Sequence, residues 1–247
     1  MLSWSIDLGN SRMKVGLFAG RTLLKSYSFD NSQFSNEEEF WETLPEKAIV
    51  SSVLSEESTA SLLQKLGNSG VAVSHLQQET ALPFSNAYQS KATQGNDRIS
   101  AVAGAQVYFP DKDILVIDCG TCITFDFLSK EGKYLGGAIS PGVRMRLQAM
   151  NKFTSKLPLK EWRQQDEVDL IGNSTENSLL SGAVNGSIAE VDGIINRYLA
   201  AFPELKTVLT GGDSSFFEKK LKNTIFADPN LVLKGLNEIL LYNSENS

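Results

Sequence analysis

One short pattern occurs twice in this chain of 247 residues: Ile6-Asp7-Leu8-Gly9 and Ile117-Asp118-Cys119-Gly120, with the two aspartates 111 positions apart. That offset is close to half the chain. Each copy closes an apolar run, residues 2–8 and 114–119, and each is followed by a second β-rich run, residues 13–18 and 123–128. Apolar runs joined by a short Gly/Asn turn carry the signal of a hairpin. A strand–turn–strand unit that returns in register half a chain later points to a duplicated α/β architecture. The expected division is one domain over residues 1–112 and a second over 113–247.

Other elements follow from pattern. Residues 23–29, 48–54 and 71–76 read as strands, and 37–41 as a short helix. Residues 56–66 read as a helix closed by Gly67-Asn68. The polar stretch 78–96 reads as loop. An alanine-rich helix is expected over 97–108, ended by Phe109-Pro110. In the second half helices are expected at 143–151, 177–202, 218–222 and 235–242, with strands at 208–210 and 224–226. Residues 243–247 read as a frayed tail.

Composition excludes several classes. Hydrophobic residues make up 41% and charged residues 21%, the balance of a chain that can build a packed core. No apolar run reaches the ~18 residues of a membrane span. The opening Met1-Leu2-Ser3-Trp4-Ser5-Ile6-Asp7 has no basic region and does not read as a signal peptide. With 23 basic and 29 acidic residues the net charge is −6, which disfavours a nucleic-acid partner. Two cysteines form no disulfide framework and fit a reducing, cytoplasmic setting. The one histidine, His75, reads as structural, so any acid–base chemistry falls to carboxylates.

A buried strand that ends in Asp and runs into a Gly turn suits phosphate chemistry. Glycine lets the backbone approach a ligand, and turn amides can donate to phosphate oxygens. The Asp can hold a cation or orient a water beside them. In Asp7-Leu8-Gly9-Asn10-Ser11-Arg12-Met13-Lys14 the loop adds polar donors and a lysine charge. Two such loops, with a further Gly211-Gly212 turn, could clamp a triphosphate. The plain alternative is an ordinary β-turn with an Asp cap at each place. No Walker or G-x-G-x-x-G pattern is present. A second constellation, Gly95-Asn96-Asp97-Arg98, lies where loop meets helix. Asp97 could be an N-cap, or a carboxylate that orients an acceptor hydroxyl and takes its proton. Cys119-x-x-Cys122 could be redox-active or half a zinc site. With no second pair to complete four ligands, ordinary packing is the better account.

Taken in order, these motifs resemble the type III pantothenate kinase family of the acetate and sugar kinase/Hsp70/actin superfamily. The resemblance runs through Asp7-x-Gly9-Asn10-x-x-x-Lys14, Gly95-x-Asp97-Arg98 and Asp118-x-Gly120-Thr121. It continues through Gly136-Gly137-x-Ile139-x-Pro141-Gly142, Thr154-x-x-Leu157-Pro158, Thr175 ahead of Ser181-Gly182, and Thr210-Gly211-Gly212. It implies duplicated ribonuclease-H-like (actin-like ATPase) domains with mixed sheets flanked by helices, ATP bound in the cleft between the halves, and a homodimer that completes a pantothenate site. By the same resemblance Asp7, Leu8, Gly9, Asn10, Ser11, Arg12, Met13 and Lys14 hold the ATP phosphates, and Thr121 touches them from the other half. Asp118 binds a monovalent cation, potassium or ammonium. Asp97 is the base. Tyr88, Gly95, Asn96, Asp97, Arg98 and Thr175 line the pantothenate pocket, and Asp7 is a candidate to position magnesium.

The chain departs from the family pattern at four places. Ser11 stands where threonine is usual, with the hydroxyl kept. Asn96 replaces a small residue, and Cys122 an alanine. A proline common between the Tyr and Gly positions is missing from residues 89–94, which loosens the placement of Tyr88. The expected activity is ATP-dependent phosphorylation of pantothenate, the first step toward coenzyme A. Two other readings remain open: a related kinase for another small hydroxy compound, and a catalytically idle, nucleotide-sensing regulator on the same fold.

Overall fold

The computed structural model describes residues 1–9, 12–30 and 44–246. The helix expected over 37–41 lies outside the described residues. The first sheet holds β1 (Leu2–Leu8), β2 (Arg12–Ala19), β3 (Thr22–Asp30), β4 (Lys47–Ser52) and β5 (Ala72–His75) in the order β3-β2-β1-β4-β5. The second holds β6 (Ser85–Asn86), β7 (Ile114–Cys119), β8 (Cys122–Leu128), β9 (Lys133–Pro141), β10 (Lys206–Thr210) and β11 (Phe226–Ala227) in the order β11-β10-β7-β8-β9-β6. In the first sheet β1 pairs antiparallel with β2 and parallel with β4; in the second β7 pairs antiparallel with β8 and parallel with β10. The five-strand plan is therefore the same in both, with β6 added at one edge. The repeat read from two short motifs is a repeat of topology.

Residue choice on β1 explains its packing. Trp4, Ile6 and Leu8 join Met13, Val15, Val50 and Leu62 and Leu66 of α1 (Glu56–Asn68) in one buried cluster. The alternate positions are Ser3 and Ser5, also fully buried. Small side chains on that face make room for the C-terminal helix α6 (Leu231–Glu245). There Ser3 Oγ donates to Asn237 Oδ1 at 2.7 Å, and Asn237 Nδ2 donates to the Gly20 carbonyl at 2.8 Å. A buried amide with both ends bonded fixes where α6 lies on the sheet. The second core gathers Leu115, Ile117, Cys119, Phe125 and Phe127 from β7 and β8 under α3 (Val143–Lys152), α4 (Thr175–Ala201) and α5 (Ser214–Lys220).

The chain divides into two compact units. The first comprises Met1–Pro110, Gly132–Tyr134 and the stretch from Asn230; the second comprises Asp111–Glu131 and Leu135–Pro229. The boundary expected at 112/113 follows the sequence repeat. The packing assigns α6 to the first unit, because α6 lies on α2 (Asn96–Tyr108) with the backbones almost touching. A Cβ added to Gly235 would come within 1.6 Å of the Ser100 carbonyl oxygen, and one added to Gly104 within 2.4 Å of that of Leu231. β9 runs through Gly136-Gly137, where a Cβ on Gly137 would meet the Phe125 carbonyl oxygen at 1.6 Å. Two expectations are corrected. α5 starts at Ser214 rather than 218. Residues 243–245 continue α6 instead of fraying, and Asn243 Nδ2 donates to the Ala81 carbonyl at 2.8 Å.

Gly235→Ala forces backbone against backbone and should cost about 3 kcal/mol or more. Gly193→Ala, on α4 with nothing within 4 Å of the added carbon, should instead gain roughly 0.5–1 kcal/mol. Urea unfolding of the two variants beside the parent checks both signs.

Candidate active site

In the first unit the β1–β2 hairpin sets Asp7 opposite Lys14 and Leu8 opposite Met13. The Gly9 N–H donates to the Arg12 carbonyl at 3.0 Å and tightens the turn. Asn10 and Ser11 lie outside the described residues. Leu8 and Met13 point into the core, so only their backbone can face a ligand. Arg12 is exposed and pairs with Asp30 at 3.5 Å across β2 and β3. Asp7 and the partly buried Lys14 are thus the charged side chains of the loop turned toward a common place.

α2 brings the second constellation to the same place. Gly95 is its N-cap, and no side chain caps the helix. Asp97 is an exposed residue of the first turn, and its Oδ1 accepts from the Arg98 N–H at 2.9 Å. A Cβ on Gly95 would sit 2.3 Å from that carboxylate oxygen, so glycine is what lets the carboxylate fold back over the helix start. Asn96 anchors the loop by donating to the Leu76 carbonyl at 3.1 Å. Arg98 is buried with its guanidinium 5.5 Å over the Tyr88 ring, and Tyr88 packs 6.0 Å from Tyr134. The structure therefore joins Tyr88 to the Gly95–Arg98 motif despite the missing proline.

Asp7 is the electrostatically perturbed group. Burial at the strand end pushes its carboxyl from 3.8 up to about 6; the negative charge of Asp97 adds to this, and Lys14 offsets part of it. Two neighbouring carboxylates offer oxygen ligands that would suit a divalent ion also bound by substrate phosphates, the habit of magnesium, while Lys14 could only face the phosphates. Among the described residues no group of three or more His, Cys, Asp or Glu is arranged to hold a metal unaided.

In the second unit the turn 118–121 is enclosed by two other turns. The Gly120 N–H donates to the Cys122 carbonyl at 2.9 Å, and the Gly142 N–H to the Thr121 carbonyl at 3.0 Å. A Cβ on Gly142 would lie 2.3 Å from the Gly120 carbonyl oxygen. Gly211, at φ +99°, approaches from the other side: a Cβ there would meet the Cys119 carbonyl oxygen at 2.4 Å and Asp118 Oδ1 at 2.5 Å. Asp118 is partly buried and Thr121 exposed. One carboxylate among turn carbonyls is an oxygen-rich set of low charge that could hold a monovalent cation. Cys119 is buried, and burial, then Asp118 and Asp213, push its thiol upward, which makes it inert. Both cysteines are free. Thr175 is exposed at the first turn of α4, after the N-cap Ser174.

Three side chains that the sequence did not single out close around the Gly211–Gly212 turn. Buried Asp213 accepts from Arg144 Nη1 at 3.0 and 2.9 Å and from Gln164 Nε2 at 2.8 Å. Gln164 Nε2 also donates to the Gly212 carbonyl at 2.7 Å. The only sequence signal is an Asp directly after two glycines; its partners lie 69 and 49 positions earlier.

This fold, two mixed sheets of one strand plan flanked by helices, defines a duplicated α/β class. In fold the chain resembles a conserved Baf family protein from Campylobacter jejuni (TM-score 0.64, 22% identity, 98% of this chain and 99% of that one). It also resembles a ROK hexokinase from Thermus thermophilus (TM-score 0.52, 12% identity, 100% of each). The family model for type III pantothenate kinase matches residues 4–197. The type III pantothenate kinase of Bacteroides fragilis is 44% identical over 243 residues, 97% of each chain, and that of Flavobacterium psychrophilum 40% identical over 238 residues, 96% of this chain and 98% of that one. The chain belongs to the type III pantothenate kinase family.

The raised Asp7 carboxyl makes a signed prediction. The native chain binds this proton more readily than the unfolded chain, so its unliganded stability rises as pH falls through about 6 toward 3.8. Asp7→Asn should be more stable than the parent by up to about 3 kcal/mol near neutral pH, and the gap should close below about pH 4. Urea unfolding at the two pH values reads it.

Proposed function

We propose that this protein transfers the γ-phosphoryl group of ATP to the primary hydroxyl of pantothenate, opening coenzyme A synthesis. The observation that carries the reading within the family is the meeting of Asp97, exposed at the start of α2, with Asp7 at the end of β1, close enough for their charges to interact. A carboxylate with an open side, set beside the loop that would hold phosphate, is what this transfer requires.

In the proposed reaction the backbone of residues 7–14, together with Lys14, holds the phosphate tail, and Thr121 supplies a hydroxyl to it. Asp97 orients the pantothenate hydroxyl and accepts its proton as oxygen bonds to the γ-phosphorus and the bond to the β–γ bridging oxygen breaks. Tyr88, Gly95, Asn96 and Arg98 position the acceptor, and Thr175 completes the pocket. Asp7, with Asp97 near it, would hold magnesium, which neutralises phosphate charge when bound. Asp118 would take potassium or ammonium. Among the described residues no helix is long and apolar enough to cross a membrane, and the net charge of −6 gives no footprint for nucleic acid. Together with two free cysteines, this supports a cytoplasmic enzyme. Phe153 (80% exposed), Leu170 (79%) and Ile171 (83%) leave large apolar side chains uncovered; they support a homodimer, with Thr175 a few residues away in sequence.

Two outcomes are expected. Asp97→Asn should keep the fold and the KM for ATP but lose about 10²–10⁴-fold in turnover, followed by coupled detection of ADP with pantothenate as acceptor. Unchanged turnover removes Asp97 from the mechanism, and ATP binding with no transfer by the parent favours the idle regulator. Activity should also require potassium or ammonium; equal rates in sodium-only buffer contradict the role given to Asp118.

A further inference from the structure

The Gly211–Gly212–Asp213 turn is held more tightly than a connecting turn needs. The Asp213 N–H donates to the Cys119 carbonyl at 2.8 Å. Its carboxylate lies buried between Arg144 and Gln164, and Gln164 is in turn fixed by Ser215 Oγ, which donates to Oε1 at 3.0 Å. Arg144 is itself constrained, with its guanidinium 4.9 Å over the buried Trp162 ring, and Trp162 meets Phe216 edge-on at 5.0 Å. Arg144 stands two residues after Gly142, whose backbone touches the carbonyls of Gly120 and Thr121. The pair therefore links the two backbone segments that enclose the turn 118–121.

An ion pair between buried Asp213 and half-exposed Arg144 is poor evidence for added stability, because desolvating the carboxylate offsets much of the Coulombic gain. Its effect is geometric. Gly211 has no Cβ and comes within contact of Asp118 Oδ1 and the Cys119 carbonyl. Any shift of this turn moves the wall against which the Asp118 carboxylate rests. On the α3 side, a shift of Gly142 moves the carbonyls of Gly120 and Thr121.

We propose that Arg144 and Asp213, keyed by Gln164, are positioning residues that set Asp118 and the turn 118–121 for the nucleotide and its monovalent cation. The inference rests on the nucleotide role given above to Asp118 and Thr121, and goes beyond it by naming what holds them. The pair acts through backbone and does not touch the reacting atoms.

The test uses Arg144→Met, Asp213→Asn and the double variant of the full chain. Calorimetric titration with ADP in potassium buffer and steady-state kinetics are run on each. Each single variant should weaken ADP binding and raise the KM for ATP by about ten-fold, and should raise the potassium concentration needed for half-maximal rate. The KM for pantothenate should stay within about two-fold. The double variant should be no worse than the weaker single one, since coupled residues are not additive. Arg144 is half exposed, so Arg144→Met keeps the test open if Asp213→Asn folds poorly. Single variants that change only the melting temperature, or that shift the KM for pantothenate as much as that for ATP, overturn the proposal. Parent protein that binds ADP but makes no phosphopantothenate sinks the kinase reading while leaving this test intact; parent that binds no ADP sinks both.

Discussion

Asp7 is the constraint around which the first unit is organised. A carboxylate at the end of a buried strand resists ionisation, and a second carboxylate nearby makes this worse. Folding accepts the cost because the surroundings leave Asp7 little freedom. Its strand is pinned on one side by the β1–β2 hairpin and on the other by parallel pairing with β4, where Asp7 faces Ser51. Asp97 cannot retreat either, since its carboxylate is folded over Gly95 and bonded to the Arg98 N–H. Two negative groups are thus held together with Lys14 as their nearby positive neighbour. Such an arrangement raises the Asp7 carboxyl and would be relieved by a bound cation.

The recurrence of one sheet plan shows what duplication preserves and what it releases. Both sheets put an antiparallel hairpin first and two parallel strands beside it. The faces have diverged. β1 presents Ser3 and Ser5 to α6, whereas β7 is apolar on both faces through Ile114, Leu115, Val116 and Ile117. The serines carry a cost of their own: Ser5 Oγ is buried without a hydrogen-bond partner, while Ser3 is satisfied by Asn237. Small residues on β1, together with Gly104 and Gly235 on the helices, let α6 close the first unit although it comes last in the chain.

Features set by local chemistry were legible in the sequence. The two hairpins, the helix after Gly95 and the parallel strand at 206–210 all follow from apolar runs and turn residues. The errors came where a residue's role depends on a distant backbone. Gly137 lies inside β9 with its backbone against the Phe125 carbonyl, an approach that no local signal announces. The tail 243–245 reads as frayed, yet Asn243 bonds to Ala81 far away in the chain. The site divides in the same way. Asp7, Asp97 and Asp118 stand out because each sits beside a glycine turn. Arg144 and Gln164 do not, because nothing local distinguishes them from surface residues, and only the folded turn 211–213 gathers them around Asp213.

The two copies of the Ile-Asp-x-Gly hairpin differ in the cross-strand neighbour of the aspartate, and that difference argues for a division of labour. Asp7 faces Lys14, while Asp118 faces Thr124. An ammonium group opposite the first aspartate offsets part of that carboxylate's charge, and in the proposed reaction it meets phosphate oxygens. The second aspartate has a hydroxyl-bearing neighbour and lies against the Gly211 turn beside the Cys119 carbonyl. The role proposed for it, holding a cation of low charge, accords with that oxygen-bearing wall. The same hairpin thus carries Lys in one copy and Thr in the other, a chemical difference that the shared sheet plan leaves free to vary.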